Sequence, residues 1–100
     1  MSVVMNFAMF PTERTGSASP YVSRVVEKVR ELGFENQLTA MGTIVETETL
    51  SEALGLIDEA YKTLEDDCNR VYITISIDVK KGSTGRLKSK VQSVHNIIGK

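Results

Sequence analysis

Arg70-Val-Tyr-Ile-Thr-Ile-Ser-Ile-Asp-Val-Lys80 decides how the rest of this chain is read. Val71, Ile73, Ile75, Ile77 and Val79 alternate with Tyr72, Thr74, Ser76 and Asp78, so an extended chain sends one set to each side. The product is a strand of roughly 30 Å with one apolar and one polar face. Such a strand asks for a sheet beside it and for helices on one face only.

Upstream, Met41 to Glu48 predicts a shorter strand of β-branched residues opening at Gly42. Alternation puts Ile44, Glu46 and Glu48 on one side of it and Thr43, Val45 and Thr47 on the other. Gln37–Ala40 predicts a weaker strand joined to it by a turn at Met41-Gly42, making a hairpin. Between these strands and the long one, Thr49-Leu-Ser-Glu52 reads as a capping box. It starts a helix whose stripe is Leu50, Ala53, Leu54, Ile57, Ala60, Tyr61 and Leu64. Near the chain start, Val3 to Phe10 is an apolar run of strand length, with Asn6 as the one polar residue on its Val4/Ala8/Phe10 side. Pro11 has no N–H for a ladder and ends it. A nine-residue Ser/Thr/Gly loop follows, and Ser19-Pro20 marks a helix start with Ser19 as the cap. Val22, Val25, Val26, Val29 and Leu32 follow at helical spacing, and Gly33 stops the helix. Downstream of Lys80 a basic, Gly-bearing loop leads to a last helix carrying Leu87, Val91, Val94 and Ile98.

The order strand, helix, strand, strand, helix, strand, helix predicts an α+β ferredoxin-like βαββαβ fold with an additional C-terminal helix. In it a four-stranded antiparallel sheet has its helices on one face, in a single domain over residues 1–100. The other face carries Asn6, Thr39, Ile44, Glu46, Tyr72, Thr74, Ser76 and Asp78, with Val4, Phe10 and Met41 among them. That mixture suits a wet interface with another copy, and the long last strand is expected at a sheet edge, where backbone groups invite pairing. A homodimer or homotetramer through the sheet is the expectation.

Composition removes several function classes. Twelve Lys and Arg against thirteen Asp and Glu give a net charge of -1, without the basic excess of a nucleic-acid binder. No apolar run reaches the ~20 residues of a membrane span, and Met1–Phe10 lacks the pattern of a signal peptide. A cytoplasmic location is expected. Cys68, the single cysteine, reads as a small core filler. Glycine-rich nucleotide fingerprints, a phosphate loop and Cys-x-x-Cys are absent. His95, the one histidine, reads as a surface residue, and no second ligand stands at metal-binding spacing. The reading is therefore no catalytic residue, no metal and no cofactor.

Two features point to a ligand. Thr15, Ser17 and Ser19 gather at a helix start, where N–H groups and the dipole favour an anion or hydroxyl. Glu46 stands mid-strand on the face that ought to be covered, and a buried carboxylate must find donors or take up a proton. Pro11 with Gly-Ser-Ala-Ser-Pro-Tyr-Val (16–22), Met-Gly-Thr-Ile-Val-Glu (41–46), Arg-Val-Tyr-Ile-Thr-Ile-Ser-Ile-Asp (70–78) and Lys90-Val91 resemble the small thiamine-binding protein family. The resemblance spans nearly the whole chain. Thr47 and the Thr12-Glu13-Arg14 run depart from the family pattern, which often has Gly after the motif glutamate and after the proline. The resemblance implies a ferredoxin-like fold, assembly into dimers or tetramers through the sheet, and binding of thiamine or its hydroxymethylpyrimidine part, with no established catalysis. It directs attention to Glu46 as acceptor for the aminopyrimidine, Thr43, Ser17 and Ser19 as orienting hydroxyls, Phe10 as an apolar wall, and Thr39 beside them. Two other readings stand: a structural or regulatory assembly module with no ligand, and an acylphosphatase-like hydrolase using Arg14 and Asn6, whose spacing does not commend them.

Overall fold

A computed structural model describes residues 1–82 and 84–99. Strand β1 (Ser2–Pro11) is central, with β3 (Thr43–Thr47) on one side and β4 (Val71–Lys80) on the other; β2 (Glu35–Leu38) lies outside β3. The order β2-β3-β1-β4 is antiparallel throughout. With helices α1 (Ser19–Glu31) and α2 (Leu50–Glu65) crossing between strands, and α3 (Arg86–Ile98) appended, this is the ferredoxin-like fold. The edge position of β4 follows the sequence expectation.

The alternation of β1 sets the layers. Val3, Met5, Phe7 and Met9 are buried with Val45 of β3 beneath Val25, Val29, Ala53, Leu56, Ala60 and Leu64. Burying aliphatic side chains of this size contributes roughly 1.5–3 kcal/mol each, before chain entropy is subtracted. α2 begins with the expected capping box: Thr49 Oγ1 accepts from the Glu52 N–H at 3.1 Å, and Glu52 Oε1 accepts from the Thr49 N–H at 3.0 Å. Leu56, absent from the expected stripe, is buried, whereas Leu50 and Leu54 are exposed. Cys68 is half-buried and packs against the core; burial pushes its thiol pKa up.

Three local expectations need correcting. The first β2 boundary moves from Gln37–Ala40 to Glu35–Leu38. Thr39 stops that strand because its hydroxyl accepts from the Met41 and Gly42 N–H groups and donates to the Gly42 carbonyl, closing a tight 39–42 connection. Gly42 is required there by space: a Cβ would sit 2.7 Å from both Asn6 Oδ1 and the Phe7 carbonyl. Ser19 is the first residue of α1 rather than its cap; Ala18 holds the cap position without a side-chain hydrogen bond. Ser17 Oγ accepts the Ser19 N–H at 3.1 Å instead.

The third correction concerns α3. α1 and α2 share one face of the sheet, as expected, but α3 starts against the other. Glu46 alternates with the buried Val45 and so points away from the core, and it is Glu46 that receives the first N–H groups of α3. Only Arg86 of α3 is buried. Alternation in β4 says where its apolar side chains point, but whether a helix lies over them depends on helix placement. Ile75, Ile77 and Val79 are exposed although they face the helical side.

Candidate functional site

The six side chains singled out on sequence fall into two places. Five gather where β1 ends, α1 begins and the 39–42 connection folds over. Phe7, Phe10, Leu38, Thr39, Met41 and Thr43 border a cavity of about 210 Å³ there. Thr43 is nearly fully buried because it shares the inward face of β3 with Val45 and Thr47. Phe10 lies across from Tyr72 in the β1–β4 register, with ring centroids 5.9 Å apart. The Arg14 guanidinium covers Phe10 at 5.8 Å and donates to the Pro11 carbonyl, so the first loop folds back onto this wall.

Ser17 and Ser19 border an adjoining groove of about 460 Å³ with Ser23, Val26, Glu27 and Arg30. Val22 and Leu38 border both spaces, which makes them neighbours. What Ser17 and Ser19 offer is hydroxyl chemistry. The start of α1 has no spare N–H for an anion: Ser19 N–H goes to Ser17, Pro20 has none, and the Tyr21 and Val22 N–H groups both reach the Ala18 carbonyl.

Glu46 stands apart. It pairs with Val4 in the β1–β3 register while Thr43 pairs with Phe7. Six residues of extended chain, roughly 20 Å, separate Val4 from Phe10. The donors that a carboxylate in this position requires come from the chain itself. Oε2 accepts from Ser2 Oγ at 2.6 Å and from the Arg86 N–H at 3.0 Å; Oε1 accepts from the Leu87 N–H at 3.0 Å. A carboxylate at the first turn of a helix also meets the positive end of its dipole. Burial pushes the Glu46 pKa up, but the Ser2 hydroxyl, the two backbone donors and the Arg86 charge outweigh it and hold the pKa below its ordinary value.

Arg86, which the sequence reading did not single out, completes this anchor. It is 4% exposed. Its guanidinium donates to Ser2 Oγ, the Ser2 carbonyl, Asp78 Oδ2 and the Asp78 carbonyl at 3.1, 2.9, 2.6 and 2.7 Å. A signal was present: an arginine opening a helix opposes the dipole unless an acid meets it, and Asp78 stands near the end of the preceding strand, β4. Lys90 reaches Asp78 at 2.9 Å, and the hydrogen bonds from Lys90 and Arg86 lower the Asp78 pKa. Among the described residues no group of His, Cys, Asp and Glu is arranged to hold a metal ion, and no helix is long and apolar enough to cross a membrane.

Comparison with known proteins agrees with this architecture. The family model described as thiamine-binding protein matches residues 5–95. The UPF0045 protein of Methanothermobacter thermautotrophicus is 34% identical over 83 residues, covering 82% of this chain and 84% of that protein. A hypothetical protein of Methanocaldococcus jannaschii has a crystal structure similar at a TM-score of 0.83 with 28% identity, covering 93% of this chain and 95% of that one. A Thermotoga maritima protein provisionally assigned to thiamine biosynthesis or salvage has a similar fold, with a TM-score of 0.82, 23% identity and coverage of 94% and 99%. With a family match across most of its length on this strand order, the chain belongs to the thiamine-binding protein family.

Proposed function

We propose that this chain binds thiamine or a related aminopyrimidine without turning it over. The ligand site is the pair of adjoining cavities at the loop end of the sheet, in an assembly of identical copies joined through the sheet. Family membership supports the ligand class. The location rests on one observation: Phe10, Ser17, Ser19, Thr39 and Thr43, from three separate segments, border two spaces that share Val22 and Leu38. Small-molecule sites are usually apolar clefts of about 300–1,000 Å³ with a few polar groups, and the two spaces together fit that description. In this reading Phe10 stacks on the heterocycle while Thr43 and the two serines orient its ring nitrogen and amino group. Thr39 shapes the loop, since its hydroxyl is already used there. Glu46 contributes by holding α3 in place.

Titration calorimetry with thiamine and with hydroxymethylpyrimidine tests the proposal. Wild type is expected to bind at least one of them. Thr43→Val keeps shape and removes the hydroxyl, so affinity should fall roughly three- to tenfold, the worth of one neutral hydrogen bond. No heat and no thermal stabilisation with either compound would favour the ligand-free assembly module, which the exposed apolar side chains of β4 and α3 also suit.

A further inference from the structure

One residue of the central strand has main-chain groups that the sheet does not use. In an antiparallel ladder a residue turns both its N–H and its C=O to one neighbour, and successive residues alternate between the two neighbours. The Thr12 N–H donates to the Arg70 carbonyl at 3.0 Å, one step past the Pro11–Val71 pair, so the even-numbered residues of β1 serve β4. The odd-numbered ones therefore face β3. The Phe7 carbonyl agrees, since it lies 2.7 Å from where a Gly42 Cβ would stand. Phe7 pairs with Thr43, the first residue of β3. Pro11 has no N–H, and its carbonyl accepts from Arg14. Met9 falls between them.

If the β1–β3 register continued, Met41 would stand opposite Met9. β3 does not reach that far. The Thr39 hydroxyl takes the Met41 N–H at 3.2 Å, and Met41 is 84% exposed. Among the described residues nothing bonds to the Met9 N–H or carbonyl on this side. Yet Met9 is only 3% exposed, and buried backbone donors and acceptors are costly to leave unmade. Both groups turn toward the cavity of about 210 Å³, which Met9 borders together with Val22 and Val25 of α1 and with Phe10. The slot is one residue long. The 39–42 connection closes one end and Pro11, without a donor, the other, so it suits a small ring rather than an added strand.

We infer that the Met9 main chain reads the heterocycle: its N–H donates to a ring nitrogen, and its C=O accepts from the amino group beside that nitrogen. An aminopyrimidine presents this acceptor and donor side by side, the complement of one strand residue, and so continues the sheet where β3 stops. The second ring nitrogen and the second amino hydrogen are left for Thr43, Ser17 and Ser19. This inference rests on the ligand reading above and sharpens it. A hydroxyl turns to donate or to accept, so a site built of hydroxyls alone takes either polarity. An N–H and a C=O fixed in a sheet cannot exchange roles. Preference for the amino form of the ring over its oxo form is therefore a property of Met9.

The test titrates the full-length chain with thiamine and with hydroxymethylpyrimidine, each beside its oxo analogue. In the analogue a carbonyl replaces the amino group and the adjacent ring nitrogen carries hydrogen, so donor and acceptor change places. Whichever amino compound binds is expected to bind roughly a hundredfold or more tighter than its analogue, because two buried groups would otherwise face their own kind. In isotope-labelled protein, saturation with the amino compound should move the Met9 amide proton and carbonyl carbon downfield. In Thr43→Val the preference should persist although affinity falls. Binding of both forms within about threefold, saturation with Met9 unmoved, or loss of the preference in Thr43→Val overturns the inference and leaves the ligand reading standing. No binding of either amino compound removes that reading, and the inference with it.

Discussion

Glu46 illustrates how a single residue is read differently once its donors are known. An acid in mid-strand calls for compensation, and the sequence suggests that a ligand supplies it. The fold supplies it from Ser2 and from the first two N–H groups of α3. Charge-assisted hydrogen bonds are the stronger kind, and each contributes about 1.5–3 kcal/mol net where water is excluded. Glu46→Gln keeps the shape but replaces one acceptor oxygen with a donor group facing the helix N–H groups. With the side chain only partly buried, the variant is expected to lose about 1–2 kcal/mol in urea unfolding. Exchange of the Arg86 and Leu87 amides should quicken, while ligand affinity changes less than twofold. A tenfold loss of affinity with unchanged amide exchange would return Glu46 to the ligand site.

At the scale of elements, α3 is held through residues 86–90 at its start, and the hold is titratable. The pKa values of Glu46 and Asp78 are both depressed in the folded chain. Depressed carboxylate values contribute stability that is complete above the unfolded values of about 4 and is lost as pH falls through the lower folded values. Acidification below about pH 4 should therefore release the α3 first turn while the β1–α2 core persists. Proton exchange or amide chemical shifts between pH 6 and pH 3 would show this as early change at residues 86–90. Simultaneous loss of α3 and the core would contradict it. The elements themselves were legible in the chain because their signals are local: the Thr49–Glu52 box, Gly33 with φ of +81°, and the alternation of β4. Boundaries moved where a side chain captured the backbone, as at Thr39 and Ser17. The face chosen by α3 was not legible, since it depends on Arg86 and Glu46 meeting across 40 residues.

The molecule as a whole is longer than a compact domain of this size. Its radius of gyration is 14.8 Å and its extents are 44 × 29 × 20 Å, against about 13 Å expected for a compact 100-residue chain. The excess fits the outlying α3 and the uncovered far half of β4. The residues of the proposed site were legible one at a time but not as a group. Phe10, Ser17, Ser19, Thr39 and Thr43 come together because β1, α1 and the 39–42 connection converge at one end of the sheet, whereas Glu46 belongs to the other. Amide chemical-shift mapping during a thiamine titration tests this division most directly. The account predicts saturable shifts at residues 8–10, 17–23 and 38–43, with residues 84–88 and Glu46 still. Shifts centred on Glu46, Arg86 and Leu87, with the loop end unmoved, would contradict it.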